Sequence, residues 1–504
     1  MSFGPSPGTA DRSQPDVPPT PPEPATRPVL LRDSDPQDLQ ARSDATTEPA
    51  SFRDPAGFVF RRDGVLHRQI NRSFAERWDR TVASGLLERL QADGHLIPHE
   101  PAPLEAAADP ADAHAVIRPA AVPFVSYPYE WSFGMLRDAA LLTLDVQAEA
   151  SAAGFALRDA SAFNVLFSDG RPILVDTLSI APAEPGAPWV AYRQFCEHFL
   201  APLALMARRD IRLGSLLRTH LDGIPLDLAA RLLPARTRLN LGLGSHIHVH
   251  AASQRRHEGG GEAAAAKARQ TRVGGTRSAA LLDSLRRTVA SLRWSPTGTE
   301  WADYERADPA DAAASAKDGI VRSMLAEAGG SVVWDLGANV GRHSAIAAEL
   351  GRRVIAWDAD PAAVERNYRA IRAAGETRIL PLLVDLADPS AAVGWNLSER
   401  RSMVDRADAD VVLALALVHH LAIGRNVPLP RIAAFFAELA PHAIVEWVGR
   451  DDPMVRRLLA TREDVFDDYT LERFRQSLGE RYTIVDEQPI PGTERIVVRL
   501  TRHP

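Results

Sequence analysis

Two fold classes follow one another in this 504-residue chain: an α+β domain in the first half and an α/β domain with a mostly parallel sheet in the second. Three observations predict them. Beyond about 316, apolar runs of strand length alternate with stretches of helical periodicity, the pattern of a parallel sheet covered on both faces. A glycine-containing turn joins the first of these strands to the first helix at 335–341. Before 253 the strand-like segments come as short hairpins around long apolar helices, the order of an α+β domain.

The length exceeds what one core usually organises, so two or three units are expected. Hydrophobic residues at 45% and charged residues at 24% are ordinary globular values. A net charge of −7 argues against nucleic acid or an anionic membrane as partner. The single cysteine, Cys196, excludes an intrachain disulfide and a cysteine-rich zinc site. Without a secretory signal or an apolar run of roughly 18 to 20 residues, the expected location is the cytoplasm. Heavy use of Ala, Arg and Pro fits a GC-rich bacterial genome.

Residues 1–50 are rich in Pro, Ser, Asp and Thr and are expected to form a disordered tail, since they bury too little to offset ordering entropy. The N-terminal domain is expected over 51–253. Gly57-Phe-Val-Phe and Val65-Leu-His-Arg-Gln-Ile read as strands around an Asp63-Gly64 turn, followed by a helical stretch near 74–93. Phe133, Leu136, Ala140, Leu141 and Leu144 recur at helical spacing, and Gly154 stands where that helix would end. Asn164-Val-Leu-Phe and Pro172-Ile-Leu-Val form two short strands around Ser168-Asp169-Gly170, and a further helix is expected over 189–206. His246, His248 and His250 would share one face of a strand, but no carboxylate or cysteine ligand is evident nearby, so no metal is assigned. Residues 254–315 read as a linker and connecting helix, with a mobile stretch over 255–277.

From 316 to 504 the expected strands are 332–336, 353–357, 379–384, 410–417 and 442–447, with a closing pair at 481–486 and 495–501. Helices are expected at 342–350, 361–373 and 429–440. The turn Asp335-Leu-Gly337-Ala-Asn339-Val-Gly341 needs its glycines because a ligand must approach the backbone closely. The next strand ends in Asp358, placed to accept from two ribose hydroxyls, and the third ends in Asp385, placed to accept from an adenine amino group. A nicotinamide-binding turn would carry a third glycine, whereas position 340 is Val and 342 is Arg.

The three strand ends together identify 316–504 as a class I S-adenosyl-L-methionine-dependent methyltransferase domain. That implies a Rossmann-like, mostly parallel seven-stranded sheet with a C-terminal antiparallel hairpin, and S-adenosyl-L-methionine as cofactor. The expected cofactor residues are Asp335, Gly337, Asn339, Gly341, Asp358 and Asp385. A wider set resembles nodulation-protein-like class I methyltransferases: Gly394-Trp395-Asn396, Glu399-Arg400, Leu415 to Ile423, Asn426-Val-Pro-Leu, Glu446-Trp-Val and Arg462 to Tyr469. The similarity extends into Tyr127 to Phe133 and Tyr192 to Phe199.

Methyl transfer to oxygen needs a base beside the methyl group. The loop after the fourth strand carries His419 and His420, whose imidazoles titrate in the useful range, and Glu446 ends the fifth strand. These three are the candidate catalytic residues, and a small-molecule acceptor is the expected partner. Asp451, Asp452 and the segment 462–469 read either as a substrate lid or as solvated surface.

In the N-terminal half, Asp159, Asn164 five residues on, and Asp176 closing a hairpin resemble the catalytic loop of protein kinases and aminoglycoside phosphotransferases. That resemblance implies an aspartate for the acceptor hydroxyl and an Asn/Asp pair for magnesium. The departures are Leu157 for His, Ser161 for Lys and Thr177-Leu178 for Phe-Gly. No glycine-rich phosphate loop or strand lysine stands in 52–80; Arg68 and Glu76 are loose stand-ins. An ordinary helix–hairpin, a silent kinase-like domain and an active nucleotide-binding module all remain open.

Overall fold

The structure, a computed structural model, describes residues 45–253, 274–296, 312–460 and 463–504. In the N-terminal half, β1 (Ala45–Thr47), β2 (Gly57–Arg62), β3 (Val65–Asn71), β4 (His99–Ala102) and β5 (Ala113–Pro119) form an antiparallel sheet in the order β1-β2-β3-β5-β4. The β2–β3 turn forms because Asp63 (φ 50) and Gly64 (φ 76) both adopt the left-handed region, the twist that suits a two-residue hairpin. The expected tail lies outside the described residues up to 44, but its end forms β1, which pairs Ala45 with Arg62. The helical stretch near 74–93 is two helices, Ala75–Ala83 and Leu86–Ala92, separated by Gly85 at φ 67.

Helix Phe133–Ala152 begins at Ser132, whose side chain accepts from the Met135 N–H. It is buried around most of its circumference because it packs against helix Gly275–Ser291 and helix Pro361–Ala374 as well as its own half. After it, β6 (Phe155–Leu157) pairs with β9 (Ile180–Pro182), and β7 (Val165–Ser168) pairs with β8 (Arg171–Leu174). His246, His248 and His250 lie in and just after a π-helical turn, Gly244–Val249, so the strand arrangement is corrected. His246 bonds Tyr192 and Ser284, His248 bonds Thr237, and His250 stacks on Tyr192. The expected mobile stretch over 255–277 falls outside the described residues to 273, while 275–291 is helical.

The second sheet runs β12 (Ile379–Leu383), β11 (Arg353–Asp358), β10 (Val332–Leu336), β13 (Val411–Ala414), β14 (His442–Trp447), β16 (Ile496–Arg502), β15 (Tyr482–Pro489). The first five are parallel, and β16 inserts antiparallel between β14 and β15. This is the sheet of the class I methyltransferase fold. Every residue of β10 is buried, as a central parallel strand covered on both faces requires. The order reverses beside β10, so the crevice for a ligand opens at the carboxyl ends of β10, β11 and β13.

The described residues from Ala45 onward pack as one unit. At the join, Glu130 and Arg406, with side chains 1% and 3% exposed, form a two-armed ion pair at 2.5 and 3.0 Å. Glu130 also accepts from the Ser390 hydroxyl (2.6 Å) and the Tyr127 N–H (2.9 Å). Nearby, buried Glu365 accepts from the Ser132 hydroxyl (2.8 Å) and the Gly134 N–H (2.7 Å).

Candidate active site

The chain leaves β10 through Gly337 (φ 75), Asn339 (φ 50) and Gly341 (φ 87), three left-handed residues within five. At Gly341 a side chain is also excluded by space: a Cβ would lie 2.6 Å from the Asn367 amide. The Gly337 and Ala338 N–H groups donate to the Trp357 carbonyl, which fastens the turn to β11. Asp358 closes that strand. Its two oxygens accept from the Asn339 N–H (2.8 Å) and the Asp360 N–H (2.7 Å), and burial pushes its carboxyl up to about 6.

Asn339 Oδ1 and Asn367 Nδ2 are buried at this turn with no hydrogen-bond partner among the described residues. Buried polar atoms are rarely left so, and this acceptor and donor suit the ammonium and carboxylate of an amino-acid ligand. The left-handed turn and the Asp358 carboxylate are likewise suited to S-adenosyl-L-methionine. Asp335, expected at the ligand, instead lies beneath the turn: it is 2% exposed and accepts from the Ser344 hydroxyl at 2.7 Å, tying β10 to helix Arg342–Glu349. Asp385 stands at the end of β12, with one oxygen on Arg425 (2.6 Å) and the other on the Ala387 N–H (2.9 Å).

The loop after β13 packs on the turn, since a Cβ on Gly337 would meet Leu417 Cδ1 at 3.3 Å. Ala416 is left-handed at φ 50, a conformation costly for a residue with a Cβ and one that gathers at functional sites. Three residues on, His419 is 1% exposed and neither ring nitrogen has a partner among the described residues. Burial, with His420, Arg495 and Lys317 nearby, holds its protonation down at about 2, so the ring is neutral at physiological pH. His420 is half-buried with its ring centroid 4.1 Å away.

Glu446, expected as an alternative base, is fully buried and held by Lys317 (2.6 Å) and Arg495 (3.3 Å). Arg495 is held in turn by Asp452 (2.8 Å), the N-cap of helix Pro453–Leu459. Glu446 is therefore an anchor for two cations, and Asp452 is a cap and ion-pair partner rather than part of a solvated surface. Lys317, Asn367 and Arg495 did not emerge from the sequence. Asn367 had a signal, a polar residue on the apolar face of its helix between Val364 and Ile371. So did Lys317: of 58 Lys plus Arg, only Lys267 and Lys317 are lysines.

The structure also brings Asp159, Asn164 and Asp176 together. Asp159 accepts from the Ser161 N–H (2.8 Å), and burial, together with the nearby Asp176 charge, raises its carboxyl above the usual range. The Asn164 Nδ2 is buried without a partner among the described residues. Arg68 on β3 forms an ion pair with Asp176, the two side chains being 14% and 17% exposed. Arg158 pairs with Asp54, and Arg53, next to it, pairs with Glu399 of the C-terminal half.

No family model matches the chain. A curated relative, nodulation protein NoeA of Rhizobium meliloti (strain 1021), is 34% identical over 467 residues, spanning 90% of this chain and 95% of its own. Among solved structures, the N-methyltransferase NodS from Bradyrhizobium japonicum WM9 matches 39% of this chain and 99% of its own, at 13% identity and a TM-score of 0.29. Magnesium protoporphyrin IX methyltransferase from Synechocystis PCC 6803 with bound cofactor matches 40% and 88%, at 16% identity and 0.28. The bifunctional kinase-methyltransferase WbdD matches 42% and 43%, at 13% identity and 0.28. No helix among the described residues is long and apolar enough to cross a membrane.

Proposed function

The chain belongs to the nodulation protein NoeA family, and from that premise we propose that it is an S-adenosyl-L-methionine-dependent methyltransferase acting on an oxygen of a small, carbohydrate-like acceptor. The observation that carries this reading is the pairing of an empty-handed, neutral His419 with a ligand-shaped glycine turn at one sheet crevice. When bound, the cofactor supplies an electrophilic methyl group. Asp358 accepts from its ribose hydroxyls, Asn339 and Asn367 hold its amino-acid end, and Asp385 contributes at the adenine side through lone pairs left beside Arg425. His419, a weak base in the unliganded site, takes the proton of the acceptor hydroxyl only as the new bond makes that oxygen strongly acidic, with His420 tilted against it. The crevice excludes water from that nitrogen, so the proton goes to a fixed acceptor.

His419→Gln is expected to keep cofactor affinity within about threefold and to lower methyl transfer by about 100-fold or more. The measurement is label transfer from S-adenosyl-L-methionine into cell extract, followed by mass spectrometry to identify the acceptor. A well-folded wild-type protein that binds neither S-adenosyl-L-methionine nor its demethylated product in calorimetry would sink the reading.

For the N-terminal half, the same reasoning favours a kinase-like scaffold that presents the acceptor, located with the other half in the cytoplasm. Asp176 already has a permanent cation in Arg68, in the position where phosphotransfer would need a metal. Magnesium-ATP is therefore expected not to bind. Calorimetric binding that Asp176→Ala removes would favour a nucleotide-binding module instead.

A further inference from the structure

We propose that the hairpin 393–400 is a carbohydrate-recognition element, whose tip offers the exposed Trp395 and Leu397 side chains as the surface on which a sugar ring of the acceptor seats. The proposal rests on the methyltransferase reading above and assigns residues to its acceptor.

The hairpin lies in the connection from β12 to β13, and neither cofactor binding nor proton transfer uses it. Two hydrogen bonds between Val393 and Arg400, both 3.0 Å, close it. At its tip the Ser398 N–H donates to the Trp395 carbonyl at 3.2 Å, across Asn396 (φ 53, ψ 27) and Leu397 (φ 54). This is the tight turn with two left-handed central residues, in which Asn suits the first place and Gly the second. Leucine holds the second place here, at a steric cost that glycine would not carry. Burial does not offset that cost, because Leu397 is 70% exposed and Trp395 is 71% exposed. The tip is also fixed: the buried Glu399 carboxylate accepts from the Trp395 N–H (2.9 Å) and from Arg53 (3.0 Å). A strained turn held in place to display two large apolar side chains is an arrangement for binding.

The groups behind the tip select a polyhydroxylated ligand. The Arg400 guanidinium lies 4.4 Å from the Phe163 ring centroid, and the rings of Tyr129 and His198 meet the same ring edge to face at 6.3 and 6.2 Å. Tyr129 is 9% exposed and His198 2%. Arg400 Nε, the Tyr129 hydroxyl and His198 Nδ1 are buried with no hydrogen-bond partner among the described residues. So is Nδ2 of Asn164, the residue after Phe163. Buried polar atoms are rarely left so, and four of them here adjoin one ring or its neighbour in the chain. The guanidinium and amide nitrogens only donate, while the hydroxyl and the imidazole give or take a proton. Sugar hydroxyls, donors and acceptors at once, complement that set. Arg400 covers these atoms in the free chain, so hydroxyls admitted beneath the hairpin meet unpaired partners while the indole of Trp395 takes the C–H face of the ring. A protein segment or a lipid chain on Trp395 and Leu397 would leave the four atoms unpaired.

The test uses the full chain labelled with fluorotryptophan, the Trp395 fluorine resonance being assigned by its loss in Trp395→Phe. Titration with the oligosaccharide fraction of cell extract is expected to move that resonance, and the protein fraction to leave it in place. In methyl transfer from S-adenosyl-L-methionine to the same oligosaccharides, Trp395→Ala should lower kcat/KM by about tenfold, mostly through KM, and Trp395→Phe should recover most of the loss. Leu397→Gly supplies a readout that a merely structural turn residue would not give. Its melting temperature should hold or rise, because the turn is relieved of strain, while kcat/KM falls by about fivefold. A Trp395 resonance that the oligosaccharides do not move overturns the proposal, as does methyl label that enters protein instead, or a Leu397→Gly chain that melts lower than the wild type. Calorimetry with the demethylated cofactor separates the two levels: failure to bind it removes the methyltransferase reading, whereas recognition by the hairpin is still judged by the Trp395 resonance.

Discussion

Asp358→Ala is expected to weaken binding of S-adenosyl-L-methionine by about 100-fold or more, the loss of two hydrogen bonds to a charged acceptor at about 1.5 to 3 kcal/mol each. The effect should carry a pH signature. With its protonation lifted to about 6 by burial, the wild-type carboxyl is largely neutral at pH 5 and ionised at pH 7. Ribose hydroxyls bind its ionised form, so wild-type affinity should be about tenfold weaker at pH 5 than at pH 7, and the variant should lose that dependence. The sign for folding is opposite. A carboxyl raised on folding contributes stability that is fully present below its unfolded value near 4 and is lost as pH rises through about 6. Asp358→Asn should therefore flatten the fall in ligand-free stability between pH 4 and 6. Calorimetry and urea unfolding at three pH values check both; a folded Asp358→Ala with wild-type affinity would refute the assignment.

Arg406→Ala is expected to destabilise the protein by about 3 to 5 kcal/mol, because it leaves Glu130 buried and unpaired at the join between the two halves. The guanidinium does more than pair: it also donates to the Val125 and Ser402 carbonyls and stacks over the rings of Tyr127 and Phe124. Arg406→Lys should recover only part of the loss, since an ammonium cannot make the two-armed pair. Urea unfolding measures the difference. A shift under about 1 kcal/mol would mean that water reaches Glu130 and that the halves are less closely joined.

The C-terminal sheet was legible because each of its signals is local. Buried parallel strands are unbroken apolar runs, and the turn at 335–341 needs left-handed backbone within a few residues. Asp358 could be picked out for the same reason, as the residue ending the strand after that turn. The N-terminal half was harder to read. Strands β4 and β5 lie far in sequence from the core they join, and Pro101 and Pro119 lie within them. The alternation of His246, His248 and His250 suggested a strand, whereas neighbouring helices impose a helical turn there, and a period of two means nothing on a helix.

The roles of the charged residues divide in the same way. By itself the sequence determined the α/β class, the strand order of chemistry and the glycine turn, since backbone conformation and hydrophobic period are set by neighbours a few residues apart. Only the tertiary structure decided that Glu446 anchors cations, that Asp335 braces a helix, and that Asp176 is answered by Arg68. Glu130 and Arg406 are 276 residues apart, and Arg53 and Glu399 are 346 apart. Whether a carboxylate is a base, a ligand or a structural anchor depends on which partner the sheet order brings within 3 Å, and no local pattern carries that distance.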